Sequence, residues 1–242
     1  MIYMYGKLFE DIISRGSILL SAPFSTSAEE QLYRTAIEIS KNTEVQGVIW
    51  VCYQHTPEDI WKKLDSYGIA TPDLQFIDMI SHMMGLKQEN RNTIYCTSPT
   101  DYGCLSRLID EHIDSCGRCL IIMDNLNAMM SYDNILERFI KALRSFNNRI
   151  PQKNSAILYI EISGACDIRT EVAIQTTMNC VIPLNGKIKE KKDIEWESFK
   201  NTTWWDVFSL NAPIMFAMVL TMLFIVIFLS SLLIYLILQF YR

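Results

Sequence analysis

The sequence predicts an α/β fold, a mostly parallel β-sheet flanked by helices, followed by one C-terminal transmembrane helix. Three observations predict it. Short apolar and β-branched runs alternate with amphipathic helical patterns through residues 14–186. Most of those runs are apolar on both faces, as strands covered by helices on both sides must be. Residues 214–238 contain no charged side chain. With 242 residues, 50% of them hydrophobic, the chain can build a sizeable core without metals or disulfides.

The first strand is SILLSAP (17–23), after Gly16, and the first helix covers 27–42 with Leu32, Ala36 and Ile39 on one face. Ser27 is placed to cap that helix, and Glu29 and Glu30 fall in its first turn, where the helix dipole favours acids. GVIWVCY (47–53) is the second strand. Thr56, Pro57, Glu58 and Asp59 then supply a cap, a first-turn proline and two acids for a helix that stops at Gly68. LQFIDMI (74–80) is the third strand, and the polar stretch 81–92 is a surface excursion closed by TIYCTSP (93–99). A helix covers 101–117, and RCLIIMD (118–124) is an apolar strand ending in an acid. The next helix, 132–149, is expected to be stopped by Pro151. SAILYIEI (155–162) is a strand, 167–178 a helix and CVIPL (180–184) the last strand.

The predicted division is an α/β domain at 1–186, a juxtamembrane linker at 187–205 and a transmembrane tail anchor at 206–242. A helix over 214–238 would be about 37 Å long at 1.5 Å per residue, enough to cross a hydrocarbon layer of about 30 Å with some tilt. Trp204 and Trp205 stand where an interfacial aromatic belt belongs. Lys187, Lys189, Lys191, Lys192 and Lys200 precede the span and Arg242 alone follows it. That asymmetry predicts a single-pass protein of the cell membrane with its N-terminal domain in the cytoplasm. The first dozen residues carry acids and no apolar signal region, so no secretory leader is expected.

A net charge of −5 offers no basic field for nucleic acid, and none is expected as a partner. The seven cysteines are odd in number and mostly sit in apolar runs, which suits reduced thiols in a cytoplasmic domain. Cys116 and Cys119 have redox spacing but end a helix and enter a strand, the reverse of a thioredoxin-like site. Cys96 and Cys104 would complete a zinc site with them only if the fold brought all four together. The three histidines are dispersed and no Ser/His/Asp signature is present.

The order of these pieces resembles the RecA/KaiC-like ATPase superfamily over roughly residues 14–186. SILLSAP before a helix resembles the phosphate-loop strand, VIWVCYQHTPEDI a KaiC-type strand and helix, and RCLIIMDNLNAMM a Walker B strand. SAILYIEISGACDIRTEVAIQTTMNCVIPL resembles the end of that fold. The likeness is to archaeal-type members without the Walker A motif. A phosphate loop needs glycines to curl its N–H groups around phosphate, a lysine for the charge and a hydroxyl for Mg²⁺; SAPFSTSAEEQ has neither glycine nor lysine. Glu29 and Glu30 would compete with a phosphate for the helix N-terminus. Where the resemblance implies a water-activating glutamate, Gln54 and His55 stand instead.

What remains of a nucleotide crevice is Ser25, Thr26, Ser27 and Asp124, with Asp124 either a Walker B-type acid or an acid capping the turn at residues 125–127. The second reading is favoured because the lysine is missing. No metal site, no ATP or Mg²⁺ cofactor and no catalytic residue is expected. The predicted function is a membrane-tethered, catalytically inactive interaction module in regulation or signalling, with the lipid bilayer and other proteins as partners and homo-oligomerisation open. The alternatives are a non-hydrolysing nucleotide sensor and a structural subunit of a membrane complex, in which Ser230 and Ser231 would offer small polar contacts within the span.

Overall fold

The apolar runs pair edge to edge into one sheet in the order β4-β3-β2-β5-β6-β1-β7-β8. In this computed structural model the described residues are 14–86, 92–133, 135–184 and 189–190. The strands are β1 (Ser17–Pro23), β2 (Gly47–Cys52), β3 (Leu74–Asp78), β4 (Thr93–Tyr95), β5 (Cys119–Met123), β6 (Ala156–Ser163), β7 (Cys180–Pro183) and β8 (Lys189–Glu190). Strands β1 to β7 run parallel to their neighbours, and β8 joins β7 antiparallel. The predicted tail anchor lies outside the described residues. Among those described, no helix is long and apolar enough to cross a membrane.

Alternation along the buried strands divides the core in two. Ile18, Leu20, Trp50, Phe76, Ile122 and Leu158 face α1 (Ala28–Lys41) and α2 (Pro57–Ser66). Leu19, Ile49, Ile121, Met123, Ile157 and Tyr159 face the other four helices: α3 (Tyr102–Cys116), α4 (Leu126–Tyr132), α5 (Leu136–Gln152) and α6 (Ile168–Gln175). This is the α/β architecture that the sequence predicts, a parallel sheet with helices on both faces because both faces are apolar. Its parallel strands bring the β1–α1, β2–α2, β5–α4 and β6–α6 connections to one edge, where such sheets bind ligands.

Four expectations are corrected. The helix expected at 132–149 is α5, which starts later, at Leu136, and a separate helix not expected from the sequence, α4, precedes it. Asp133 lies between the two: its Oδ1 accepts from the Ile135 N–H, and its Oδ2 accepts from the Tyr102 hydroxyl at 3.0 Å and pairs with Arg138 at 3.1 Å. Pro151 does not stop α5 but lies inside its last turn, where only one backbone bond is lost. Its ring lies against Gly16, where an added Cβ would stand 2.3 Å from Pro151 Cγ. Ser27 makes no side-chain cap for α1; its Oγ accepts from the Gln31 side chain instead. Finally, β8 falls in the stretch read as linker and extends the sheet past β7.

Candidate functional site

The phosphate-loop position is the β1–α1 connection. Phe24, Ser25, Thr26 and Ser27 are all exposed there, and Phe24 is 86% exposed. The Ser25 carbonyl accepts from the Ala28 N–H at 3.2 Å, which turns the chain directly into α1. Strand β6 separates β1 from β5 in the sheet. Among the described residues no hydrogen bond joins the Ser25, Thr26 or Ser27 hydroxyls to Asp124. The four residues therefore share an edge of the sheet but do not form one cluster.

Glu29 lies in the first turn of α1, and its carboxylate is held from α2 and the β2–α2 connection. Its Oε1 accepts from Lys63 Nζ at 2.5 Å and from the Tyr67 hydroxyl at 2.8 Å, while Oε2 lies 3.0 Å from His55 Nε2. These partners hold its carboxyl at about 2, the His55 hydrogen bond contributing most and burial opposing it. Burial, and then the bond to Glu29, push the Tyr67 hydroxyl up to about 12. Lys63 lies on α2 and Tyr67 immediately after it, four residues apart and so on one side of the helix. Arg34 continues the network by donating to Glu30 and to the Tyr67 carbonyl, both at 2.8 Å.

Asp124 follows β5 and is 1% exposed. It does not cap the turn at 125–127. Its Oδ1 accepts from the Tyr53 N–H at 2.7 Å, and Oδ2 accepts from the Gln54 and His55 N–H groups at 3.2 and 3.4 Å. Asn125 does the capping, its Oδ1 accepting from the Ala128 N–H at 3.0 Å, and its amide donates to the Gln54 side chain. Burial raises the Asp124 carboxyl to about 6, against the three backbone donors. His55 thus joins the two acids, its ring to Glu29 and its backbone to Asp124. The Gln54 side chain accepts from the Asn125 amide.

Several polar features were missed by sequence reasoning. Lys63 and Tyr67 were legible only as an i, i+4 pair on a predicted helix. Glu161, an acid inside the apolar run of β6, is fully buried with no hydrogen-bond partner on either oxygen. Burial, with the Glu171 charge adding, pushes it to about 7. Cys116 and Cys119 are joined in a disulfide, contrary to the expectation of reduced thiols, whereas Cys52, Cys96, Cys104 and Cys166 are thiols. The four-thiolate zinc site is ruled out by geometry: Cys104 and Cys116 sit toward opposite ends of α3, about 18 Å apart along a helix rising 1.5 Å per residue. No metal-binding cluster occurs among the described residues.

Fold and site together define an α/β domain with a parallel sheet covered by helices on both faces and a hydrogen-bonded cluster around Glu29 at the carboxyl edge of that sheet. No family model matches the chain, and no curated protein does. Among solved structures, it is similar to an uncharacterized protein of Pyrococcus horikoshii, solved in complex with an unknown peptide. That likeness has a TM-score of 0.54 at 11% identity, covering 70% of this chain and 77% of that one. A KaiC-like protein of Pyrococcus horikoshii OT3 aligns over 73% of this chain and 76% of its own at 12% identity, with a TM-score of 0.43. The first likeness shows the fold alone, and the second, at that score, carries no argument.

Proposed function

We propose that the chain is a catalytically inactive RecA/KaiC-like domain that works by binding protein partners, tethered to the cytoplasmic face of the cell membrane by residues 206–242. The observation that carries this reading is the Glu29 cluster. The helix N-terminus that would receive a phosphate already holds a carboxylate satisfied by Lys63, His55 and Tyr67. The acid that would order Mg²⁺ is committed to three backbone N–H groups. Phe24 presents an aromatic ring to solvent at the same edge, and Ile168, after β6, is 67% exposed; both suit contact with another protein. A peptide partner is in keeping with the peptide bound by the Pyrococcus protein of similar fold. The tether and its orientation rest on the uncharged stretch 214–238 and on the lysines before it.

Titration calorimetry of MgATP into the full-length protein tests the inactive reading. No heat at millimolar nucleotide is expected, and saturable binding would overturn it. Protease added to sealed cells should spare the domain and should digest it after lysis; digestion in sealed cells would reverse the topology.

One observation favours a non-hydrolysing nucleotide sensor. Lys63 places a cation from α2 at the start of α1, so a phosphate displacing Glu29 would find a counter-charge. On that reading Glu29→Gln should bind ATP where the parent does not.

A further inference from the structure

At the edge of the sheet away from the Asp124 crevice, a cleft of about 280 Å³ opens between β2, β3 and α3, lined by Gln46, Gly47, Gln75, His112, Ser115 and Cys116 among others. Cys116 is the last residue of α3 and Cys119 the first of β5. Their sulfurs are unequal in access. Cys116 is half-buried and lines the cleft, whereas Cys119 is fully buried behind it. Gly47 of β2 makes room for both, since an added Cβ would stand 2.9 Å from Cys116 Sγ and 3.4 Å from Cys119 Sγ.

We propose that Cys116 and Cys119 form a thiol–disulfide exchange site for a small thiol that enters this cleft. Two features separate the pair from a structural staple. Only two residues intervene, and closing so short a loop removes little freedom from the unfolded chain. The reduced state also has a place in the fold, because Cys116 Sγ lies 3.0 Å from the His112 carbonyl, one helical turn back, to which its thiol can donate. Access sets the direction of the chemistry: Cys116 lines the cleft and Cys119 lies buried behind it, so an entering small thiol or disulfide meets Cys116 Sγ first.

The thiolate of the small thiol adds to Cys116 Sγ, the S–S bond breaks, and Cys119 leaves as a thiolate that takes up a proton. A second molecule of thiol attacks the outer sulfur of the mixed disulfide, releasing the small disulfide and leaving Cys116 as a thiol. Two thiols are oxidised and the protein pair gains two electrons. Cys96 and Cys104, with sulfurs 2.9 Å apart near the other end of α3, are an internal comparison that does not line the cleft.

The test equilibrates the full-length protein in glutathione buffers of graded ratio, quenches with acid, alkylates free thiols and maps the peptides by mass spectrometry. The Cys116–Cys119 peptide is expected to convert reversibly between disulfide and dithiol while circular dichroism shows the chain folded. In Cys119→Ser, Cys116 should accumulate the mixed disulfide with glutathione, about tenfold faster than Cys119 does in Cys116→Ser. Ser115→Phe, which fills the cleft from an exposed helix position, should slow the reaction at Cys116. A pair that is reduced only when the chain unfolds would be a staple and would overturn the proposal. Equal labelling of the two single variants, or exchange confined to Cys96 and Cys104, would do the same.

Discussion

Glu29→Gln removes the charge at the start of α1 while keeping its volume, which makes it the sharpest probe of the Glu29–Lys63–Tyr67–His55 cluster. The carboxyl falls from an ordinary 4.5 to about 2, a difference worth about 3 kcal/mol at 1.36 kcal/mol per pH unit. The side chain is 25% exposed, so solvent screening brings the expected loss to about 1–2 kcal/mol. The sign follows from linkage. A carboxyl with a lowered folded pKa contributes fully above its unfolded value, near 4.5, and loses that contribution as the pH falls through about 2. The gap between parent and variant should therefore be widest at pH 7, begin to close below pH 4.5 and be mostly gone near pH 2. Urea unfolding followed by circular dichroism is the suitable assay, because guanidinium chloride would itself screen the Lys63 pair. A gap that stays constant from pH 7 to pH 3 would show that the charge is not what holds the cluster, and no loss at pH 7 would sink the argument altogether.

Other substitutions probe neighbouring parts of the fold. Asp124→Asn keeps one acceptor oxygen and turns an NH2 donor to the other side, so either the Tyr53 amide or those of Gln54 and His55 should lose hydrogen-exchange protection, at a cost of about 1–3 kcal/mol. Gly16→Ala places a Cβ 2.3 Å from Pro151 at a φ of +83°, and should lower the urea midpoint by an amount equivalent to roughly 2 kcal/mol. Asn147→Ala leaves the buried Thr177 carbonyl and Tyr159 hydroxyl without the partners they have at 2.9 and 2.8 Å, for a loss of about 2–3 kcal/mol in the same assay.

The strands were legible because their two-sided burial writes itself as uninterrupted apolar runs, as in SILLSA and CLIIM, which tertiary context then fixes as a parallel sheet. The separate helix α4 and the later start of α5 were not legible. Helical periodicity survives across residues 133–135, and Tyr102 and Arg138 reach Asp133 through the fold rather than along the local sequence. Strand β8, Lys189–Glu190, is polar and two residues long, so it carries no hydrophobic signal at all. At the site, the composition of SAPFSTSAEEQ shows only that the stretch has neither glycine nor lysine. The cluster was not readable, because Glu29 finds Lys63 and Tyr67 across sequence separations of 34 and 38 residues. Cys116–Cys119 was set aside for its order of helix then strand, an order that argues about thiolate stability and says nothing about whether two sulfurs meet.

The Glu29 cluster also bears on how such a scaffold stands without a ligand. A helix that starts beside the carboxyl ends of parallel strands concentrates unpaired N–H groups and a positive dipole end, and a nucleotide phosphate ordinarily answers both. Here the chain brings its own anion. Glu29 lies in the first turn of α1, where the dipole favours it, and its charge is matched by Lys63 on α2. Both helices cover the same face of the sheet, so the pair ties them together at the edge a ligand would otherwise bridge. Asp124 does the equivalent for the β2–α2 connection, holding three consecutive N–H groups. A ligand-binding edge built this way pays for any nucleotide by breaking an ion pair and a carboxylate network, whereas a partner that docks on the exposed Phe24 side leaves both intact. That difference in cost is the physical reason to look for a protein partner before a phosphate.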